Sequence, residues 1–307
     1  MKNILFAIGL GMCVFSCRTH EKVAYSDNNC KLVPPFVGRL GFNTKNAYFS
    51  TAEKRTMGLV LLEAADPTHL QAGVTKKYQD SSWKKAGWLA PIQIDNRGNI
   101  FTGPAPFINV LNNPVADQNT IYRIDGETGI MAPFAKLPLP DSITDQNPYG
   151  IIGMIYLCES GFLYVSTVAG SNRNTEKGGI YQVNANTGKI EGKLTGMDIL
   201  GMGITYANDE RRLFFGKART SDVYSILLDN KGNFWGKPQF EFSLGGLGSR
   251  GDDKVRRIKT NKDGSLEVYG MEFNFNLIAP TEKQETVYHF IFDTETKKWS
   301  LANSFLQ

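Results

Sequence analysis

Two hairpins with a shared pattern decide the fold. Residues 120–137 read TIYRIDGETGIMAPFAKL, and residues 179–194 read GIYQVNANTGKIEGKL. In each, an apolar strand containing a tyrosine leads into a turn that ends in Thr-Gly, and a second strand follows. Asn, Asp and Gly are typical of such turns because they tolerate the positive φ that tight hairpins require. Related hairpins occupy residues 222–242 and 285–305, and residues 57–74 form a looser version.

A second recurring piece precedes each hairpin. It is a polar turn followed by a strand rich in aromatic residues. Its copies are residues 43–50 (NTKNAYFS), 95–102 (DNRGNIFT), 159–165 (ESGFLYV), 208–215 (NDERRLFF) and 261–269 (NKDGSLEVY). The two pieces together give four antiparallel strands in about 50 residues, a spacing typical of propeller blades.

The repeat predicts an all-β fold, a β-propeller of about five four-stranded blades. One blade cannot bury both faces of its sheet, whereas a ring of blades can. No stretch keeps a helical period over several turns. The predicted blades span residues 33–83, 87–140, 147–195, 197–246 and 253–307. Six blades with one degenerate copy is the alternative.

One face of this propeller carries the long, irregular segments. We call it the loop face: it holds the loops between second and third strands and the connections between blades. The short hairpin turns lie on the opposite side, the turn face. Because function concentrates in long loops on a rigid scaffold, we expect a binding site on the loop face. The predicted ligand-binding residues are Lys54, Arg55, Phe107, Tyr149, Arg173, Lys177, Lys217, Arg219, Arg250 and Phe273.

These residue types favour an anionic ligand. Arginine captures carboxylates, sulfates and phosphates through two parallel hydrogen bonds. Flat aromatic side chains suit sugar faces or aromatic ligands. The expected loop-face aromatics are those of the predicted site together with Trp83 and Phe275. The alternative is that these are solvated loop charges, partly neutralised by Glu53, Glu176 and Glu272.

The N-terminus predicts export and lipid attachment. Lys2 precedes an uncharged apolar run over residues 4–15, which is too short to span a bilayer and is typical of a signal peptide. Residues 14–17, Val-Phe-Ser-Cys, resemble the lipobox of bacterial lipoproteins. The resemblance implies cleavage before Cys17, which then carries acyl chains such as palmitate. We expect a signal peptide over residues 1–16, a lipidated tether over residues 17–32 and the propeller over residues 33–307. Alternatives are an ordinary secretory signal and cleavage at Cys13.

Two further cysteines, Cys30 and Cys158, lie in the expected mature chain. An exported chain can pair them. The apolar strand around Cys158 favours a buried free thiol instead.

The hairpin pattern IY-x-[IV]-[DN]…TG at residues 121–129 and 180–188 resembles NHL-like, SMP-30-like and quinoprotein-like propellers. The likeness covers residues 33–307 as architecture. The whole plan is also similar to propeller lipoproteins of the Bacteroidetes, some of which accompany outer-membrane uptake systems. An SMP-30-like lactonase would hold a metal at the channel mouth through Glu, Asn and Asp. Residues placed for that are Glu53, Asn147, Asn172 and Asp222, and they do not match that family's motifs.

The sequence offers little catalytic chemistry. Of three histidines, His20 lies in the tether, His69 beside a turn and His289 among core residues of a strand, and no pair has zinc spacing. We therefore predict no catalytic residue, no metal and no cofactor. The net charge of +4 does not favour nucleic acid as a partner.

These observations predict an outer-membrane-associated lipoprotein of the cell envelope. It would bind an anionic small molecule, a glycan or a partner protein such as an outer-membrane transporter on the loop face, without catalysis. The alternatives are a propeller hydrolase or lyase, lactonase-like or acting on acidic glycans, and an envelope scaffold protein.

Overall fold

The protein is an all-β, five-bladed β-propeller. The computed structural model describes residues 32–53, 56–66, 68, 73–106, 110–139, 147–207, 210–275 and 284–306. These residues form five antiparallel sheets, in each of which consecutive strands are neighbours. The predicted fold is confirmed, and the five sheets fall within the predicted blade boundaries.

The strands follow one another along the chain without crossovers. In the first blade, helix α1 (Pro35–Arg39) precedes β1 (Ala47–Ser50), β2 (Val60–Ala64) and β3 (Val74–Tyr78). The second blade contains β4 (Leu89–Ile94), β5 (Ile100–Pro104), β6 (Thr120–Ile124) and β7 (Met131–Lys136). The third contains β8 (Ile151–Leu157), β9 (Phe162–Thr167), β10 (Gly179–Asn184) and β11 (Ile190–Thr195). The fourth contains β12 (Ile199–Ala207), β13 (Glu210–Lys217), β14 (Asp222–Leu228) and β15 (Phe234–Ser243). The fifth contains β16 (Lys254–Thr260), β17 (Leu266–Met271), β18 (Thr286–Asp293) and β19 (Lys298–Leu306).

The repeated hairpins close as their sequences predict. Asp125 accepts the backbone N–H groups of Glu127 at 3.1 Å and Thr128 at 2.8 Å. The glycine that ends this turn, Gly129, has a φ of +74°, which other L-residues adopt at a cost. Asn184 and Gly188 repeat the arrangement in the third blade. The Asp/Asn…Thr-Gly pattern therefore encodes a local turn.

The hydrophobic core lies between blades. β4 contacts β8, β8 contacts β12 and β12 contacts β16, so the first strands of the second to fifth blades line the central axis. Four buried clusters each join two consecutive blades, from the first and second to the fourth and fifth. Strands covered on both sides read as apolar runs, and β8 (IIGMIYL) is buried almost throughout.

The first blade departs from the repeat. Its sheet has three strands among the described residues, and α1 precedes them along the chain. Trp83, expected among the loop-face aromatics, is fully buried between the first two blades, so that expectation is wrong. Its ring packs against Phe36 at 5.8 Å and Tyr78 at 5.6 Å, and its Nε1 donates to the carbonyl of Gly129 at 2.7 Å.

The chain enters the propeller on the turn face. The backbone N–H of Leu32 donates to the carbonyl of Asp95 at 3.3 Å, in the first turn of the second blade. Gly98 in that turn lies so close to the entering chain that a Cβ atom there would come within 2.9 Å of Pro34 Cα. The entry point is therefore fixed by backbone packing. No helix among the described residues is long and apolar enough to cross a membrane.

Cys158 also lies on the turn face, in the turn between β8 and β9. It is disulfide-bonded, so the interpretation as a free thiol is wrong. The other three cysteines of the chain lie outside the described residues.

Candidate functional site

An aromatic cluster marks the centre of the loop face. Tyr149 lies before β8, and Phe273 and Phe275 follow β17, yet the three rings pack in series, the first pair tilted and the second edge-to-face. The ring centroids are 5.8 Å apart for Tyr149 and Phe273, and 5.4 Å for Phe273 and Phe275. Phe275 is buried against Leu200 at the start of β12, whereas Tyr149 and Phe273 are half-buried. Blades three, four and five thus meet at this cluster.

Arg219 is built into the wall beside the cluster. Its guanidinium lies 5.0 Å from the centre of the Phe275 ring and contacts the Asp198 carboxylate, with Nε at 2.9 Å and Nη2 at 2.8 Å. It also donates to the backbone carbonyls of Asn172 at 2.7 Å and Arg173 at 3.0 Å, and to that of Thr175. One cation from the fourth blade therefore fixes the β9–β10 loop of the third.

Asp198 is the anion at the centre of this network. Its side chain has no exposed surface, and it accepts a hydrogen bond from the Ser171 hydroxyl and one from the Gly178 N–H at 3.0 Å. Burial raises the pKa of this carboxyl, and the hydrogen bond from Ser171 and the charge of Arg219 oppose that rise. Asp198 was not among the residues predicted from the sequence; its signal there is an acidic residue inside the apolar stretch GMDIL.

The fixed loop presents two of the predicted cations to solvent. Arg173 and Lys177 are both exposed, on either side of the segment that Arg219 holds. Because the loop is already ordered, a ligand that binds these side chains does not have to order the backbone as well. The half-buried rings of Tyr149 and Phe273 lie on the same face.

Arg250 belongs to a separate network between the fourth and fifth blades. It donates to Asp253 at 2.5 and 3.1 Å and to the Thr286 hydroxyl at 3.0 Å. The Tyr288 hydroxyl donates to the same carboxylate at 2.8 Å. The pKa of Asp253 is lowered overall: burial raises it, and the hydrogen bonds from Arg250 and Tyr288 outweigh that effect. Burial and the neighbouring Asp253 raise the pKa of Tyr288 to about 12.

The structure thus sorts the predicted binding residues into three groups. Tyr149, Phe273, Arg173, Lys177 and Arg219 lie on the third, fourth and fifth blades around the aromatic cluster. Lys217 and Arg250 lie apart from it, Lys217 with its amine 5.5 Å from the centre of the Tyr224 ring. Lys54, Arg55 and Phe107 lie outside the described residues.

Three of the four polar residues named for a lactonase-like metal, Asn147, Asn172 and Glu53, have other partners. Asn147 donates to the carbonyl of Val168 at 2.7 Å, and the side chain of Asn172 accepts two backbone N–H groups of its own loop. Glu53 lies 3.8 Å from Lys77. Across the described ranges, no group of three His, Cys, Asp or Glu residues is placed to hold a metal ion.

His289 lies in a serine and aspartate cluster on the turn face, but in the wrong order for nucleophilic catalysis. Its Nε2 is 3.0 Å from the Ser265 hydroxyl, which donates to Asp263 at 2.7 Å. A catalytic histidine stands between the serine and the carboxylate, whereas here the serine stands between the other two. Ser265 is also buried. His69 lies outside the described residues.

Comparison with known proteins gives the chain no family. No family model matches it, and no curated protein sequence matches it. A solved structure of a functionally unknown protein from Desulfotomaculum acetoxidans is similar over 85% of this chain and 80% of that chain, at 12% identity and a TM-score of 0.46. The PQQ-bound aldose sugar dehydrogenase of Streptomyces coelicolor is similar over 87% and 81%, at 12% identity and a TM-score of 0.45. The apo-form of the soluble aldose sugar dehydrogenase of Escherichia coli is similar over 78% and 77%, at 16% identity and a TM-score of 0.41. Likeness at this level carries no argument about function, and the propeller assignment rests on the five sheets themselves.

Proposed function

We propose that the protein is an exported, lipid-anchored binding protein that holds an anionic ligand on its loop face without chemical turnover. The observation that carries the proposal is the pre-ordered loop beside the aromatic cluster. Arg219 fixes three carbonyls of that loop, and the adjoining Arg173 and Lys177 are exposed. Exposed cations on a rigid backbone, next to half-buried rings, suit a ligand with acidic groups on a flat body.

Two ligand classes fit this description. An acidic oligosaccharide offers carboxylates to Arg173 and Lys177 and a sugar face to Phe273. A ferric catecholate chelate offers negative charge and flat rings. A partner protein, such as an outer-membrane transporter, would use the same surface through acidic side chains.

Binding is favoured over catalysis by the state of the nearby carboxylates. Asp198 is buried and paired with Arg219, and Glu176 accepts the backbone N–H of Asp198 at 2.7 Å. A hydrolase or lyase needs a base that can reach the substrate proton. Both carboxylates instead support the loop, so neither is placed to act as that base. A hydrolase or lyase is therefore the second candidate, after binding.

The proposed anchor is an acylated Cys17 after cleavage of residues 1–16. The disulfide of Cys158 supports export, because structural disulfides are typical of oxidising compartments. Leu32 enters on the turn face, so the proposed tether joins the domain on the side opposite the loop face. The proposed location is the outer membrane of a cell envelope. The proposal applies to the periplasmic side and to the outer side of that membrane.

Cys30 is the proposed partner of Cys158. After cleavage of residues 1–16 and acylation of Cys17, it is the remaining cysteine of the mature chain besides Cys158. Leu32 contacts Asp95, and the next residue of that turn, Asn96, hydrogen-bonds Tyr156, two residues before Cys158. The described chain therefore begins beside the turn that holds Cys158, two positions after Cys30 in the sequence.

Isothermal titration tests the binding proposal. The mature domain, with Cys17 replaced by Ser, is titrated with galacturonate and glucuronate oligosaccharides, sulfated glycan fragments and a ferric catecholate. We expect at least one to bind, and the double variant Arg173→Ala/Lys177→Ala to bind it at least about tenfold more weakly, a loss of about 1.4 kcal/mol. The product mixture is checked for turnover.

The matched control is Lys231→Ala/Lys262→Ala. It removes the same charge from two exposed residues on the turn face. Equal loss of affinity in both double variants, binding to none of the ligands, or turnover of one of them would contradict the proposal.

A further inference from the structure

A second surface lies far from the loop face, at the turn end of the fourth blade. It is a cleft of about 500 Å³ at the ends of the four strands β12 to β15. Two aromatic residues in its lining are unusually open: Trp235 is 67% exposed and Tyr206 is 41% exposed. Single exposed aromatic residues are common on protein surfaces, whereas exposed aromatic residues that line one cleft together mark a contact site.

Packing within the propeller does not explain why position 235 carries a large aromatic side chain, that of Trp235. The preceding residue, Phe234, already fills the contact with the third blade, with its ring 5.6 Å from that of Tyr164. Trp235 pairs across the sheet with Leu227 and keeps two thirds of its surface in solvent. The indole is therefore available to a ligand.

The polar groups of the cleft are fixed in place. Arg211 donates through Nη2 to the carbonyl of Asp229, and its Nε has no hydrogen-bond partner among the described residues. The Asp229 carboxylate accepts the N–H groups of Lys231 and Asn233, both at 2.8 Å, and so shapes the turn. Glu210 lies 3.0 Å from Arg212. Arg211, Asp229 and Glu210 thus form a fixed polar rim of the cleft beside the two rings.

The charges of the rim are balanced and offer no excess charge to an ionic ligand. Glu210 is paired with Arg212, and Arg211 lies beside Asp229, whose pKa is lowered by hydrogen bonds from Asn233. A neutral molecule with an apolar face and many hydroxyl groups fits both the rings and the rim.

We propose that this cleft binds a neutral oligosaccharide. A sugar ring stacks on Trp235, a neighbouring unit contacts Tyr206, and the hydroxyl groups bond to Arg211, Glu210 and Asn230. The proposal concerns a different surface from the loop-face site and does not depend on it.

Tryptophan fluorescence and isothermal titration test it on the mature domain with Cys17 replaced by Ser. The probes are cellohexaose, xylohexaose, mannohexaose and maltohexaose at millimolar concentration. We expect at least one to shift the emission and bind, Trp235→Ala to weaken that binding at least about tenfold, and Trp235→Phe to lose less. Arg173→Ala/Lys177→Ala is expected to leave the affinity unchanged.

Phe240→Ala is the matched control. Phe240 lies on the same strand, is 57% exposed and does not line the cleft, so its loss is expected to leave the affinity unchanged. Circular dichroism confirms that each variant is folded. The proposal is overturned if none of the four sugars binds, or if Trp235→Ala binds as the unaltered domain does.

Discussion

Arg219 meets the buried carboxylate of Asp198 through two nitrogens, at 2.9 and 2.8 Å, and thereby links the fourth blade to the loop of the third. The pair does more than neutralise charge. The same guanidinium holds three loop carbonyls and packs on Phe275, so the shape of the proposed binding surface depends on one arginine.

Removing this arginine is expected to destabilise the fold strongly. Arg219→Ala leaves the Asp198 carboxylate buried without its partner, which costs about 3–5 kcal/mol in the free energy of unfolding. Arg173→Ala, on the exposed side of the same loop, is expected to stay within about 0.5 kcal/mol. Urea denaturation of the two variants measures the difference. Equal stabilities would show that Asp198 is not supported by Arg219.

The cost of Arg219→Ala is expected to depend on pH. Burial already raises the pKa of Asp198, and the loss of Arg219 raises it further because the opposing positive charge is gone. A carboxyl with a raised folded pKa destabilises the protein while ionised and ceases to do so once protonated. The stability deficit of the variant should therefore be largest at neutral pH and shrink on acidification. A deficit that is constant from neutral to acidic pH would contradict this.

The stability that the Asp253 network contributes is expected to fall in acid, because the pKa of this carboxyl is lowered in the folded protein. Its stabilisation is present above the unfolded pKa, about 3.9, and is lost as the pH falls through the lower folded pKa. Asp253→Asn should therefore be less stable than the unaltered protein at neutral pH, and the gap should narrow in acid. Denaturation series at several pH values test this.

Tyr288→Phe serves as the control for that network. It removes the phenol hydrogen bond to Asp253 but keeps the Arg250 pair, so we expect a loss of about 1 kcal/mol and a pH dependence that is weakened less than in Asp253→Asn. A pH dependence altered as strongly as in Asp253→Asn would assign the effect to Tyr288 instead.

The cysteines give a prediction about processing. The mature, acylated protein should contain no free thiol, and a digest without reductant should contain one linked pair of peptides carrying Cys30 and Cys158. Cys158→Ser should lower the free energy of unfolding by about 2–5 kcal/mol, because the bond closes a long loop. Thiol titration in denaturant and peptide mapping check this. Two free thiols, or a link to another cysteine, would contradict it.

The architecture could be predicted because the hairpin turns are local. Asp125 and Gly129 close their turn through backbone groups a few residues away, so the sequence pattern carries the information by itself. The first blade could not be predicted in the same way. Residues 35–39 form a helix there, and Trp83 is buried by packing against rings of distant segments.

The candidate site was less accessible to sequence reasoning. Four residues of the predicted site look alike in the sequence, as cations in loops. In the structure, Arg219 and Arg250 meet buried carboxylates, whereas Arg173 and Lys177 are exposed. The difference comes from residues on other connections: Asp198 is 21 positions before Arg219 along the chain. The cleft at Trp235 lies on the turn face, where short turns gave no reason to expect a site.

Hydrogen–deuterium exchange tests the central claim most directly, namely that the ligand lies on the loop face. The mature domain is compared with and without the tightest anionic ligand from the titration. We predict that protection increases in residues 147–152, 171–178 and 272–275 and stays unchanged in the turns at residues 95–99 and 229–233. Protection confined to those turns, or spread over neither face, would contradict the account.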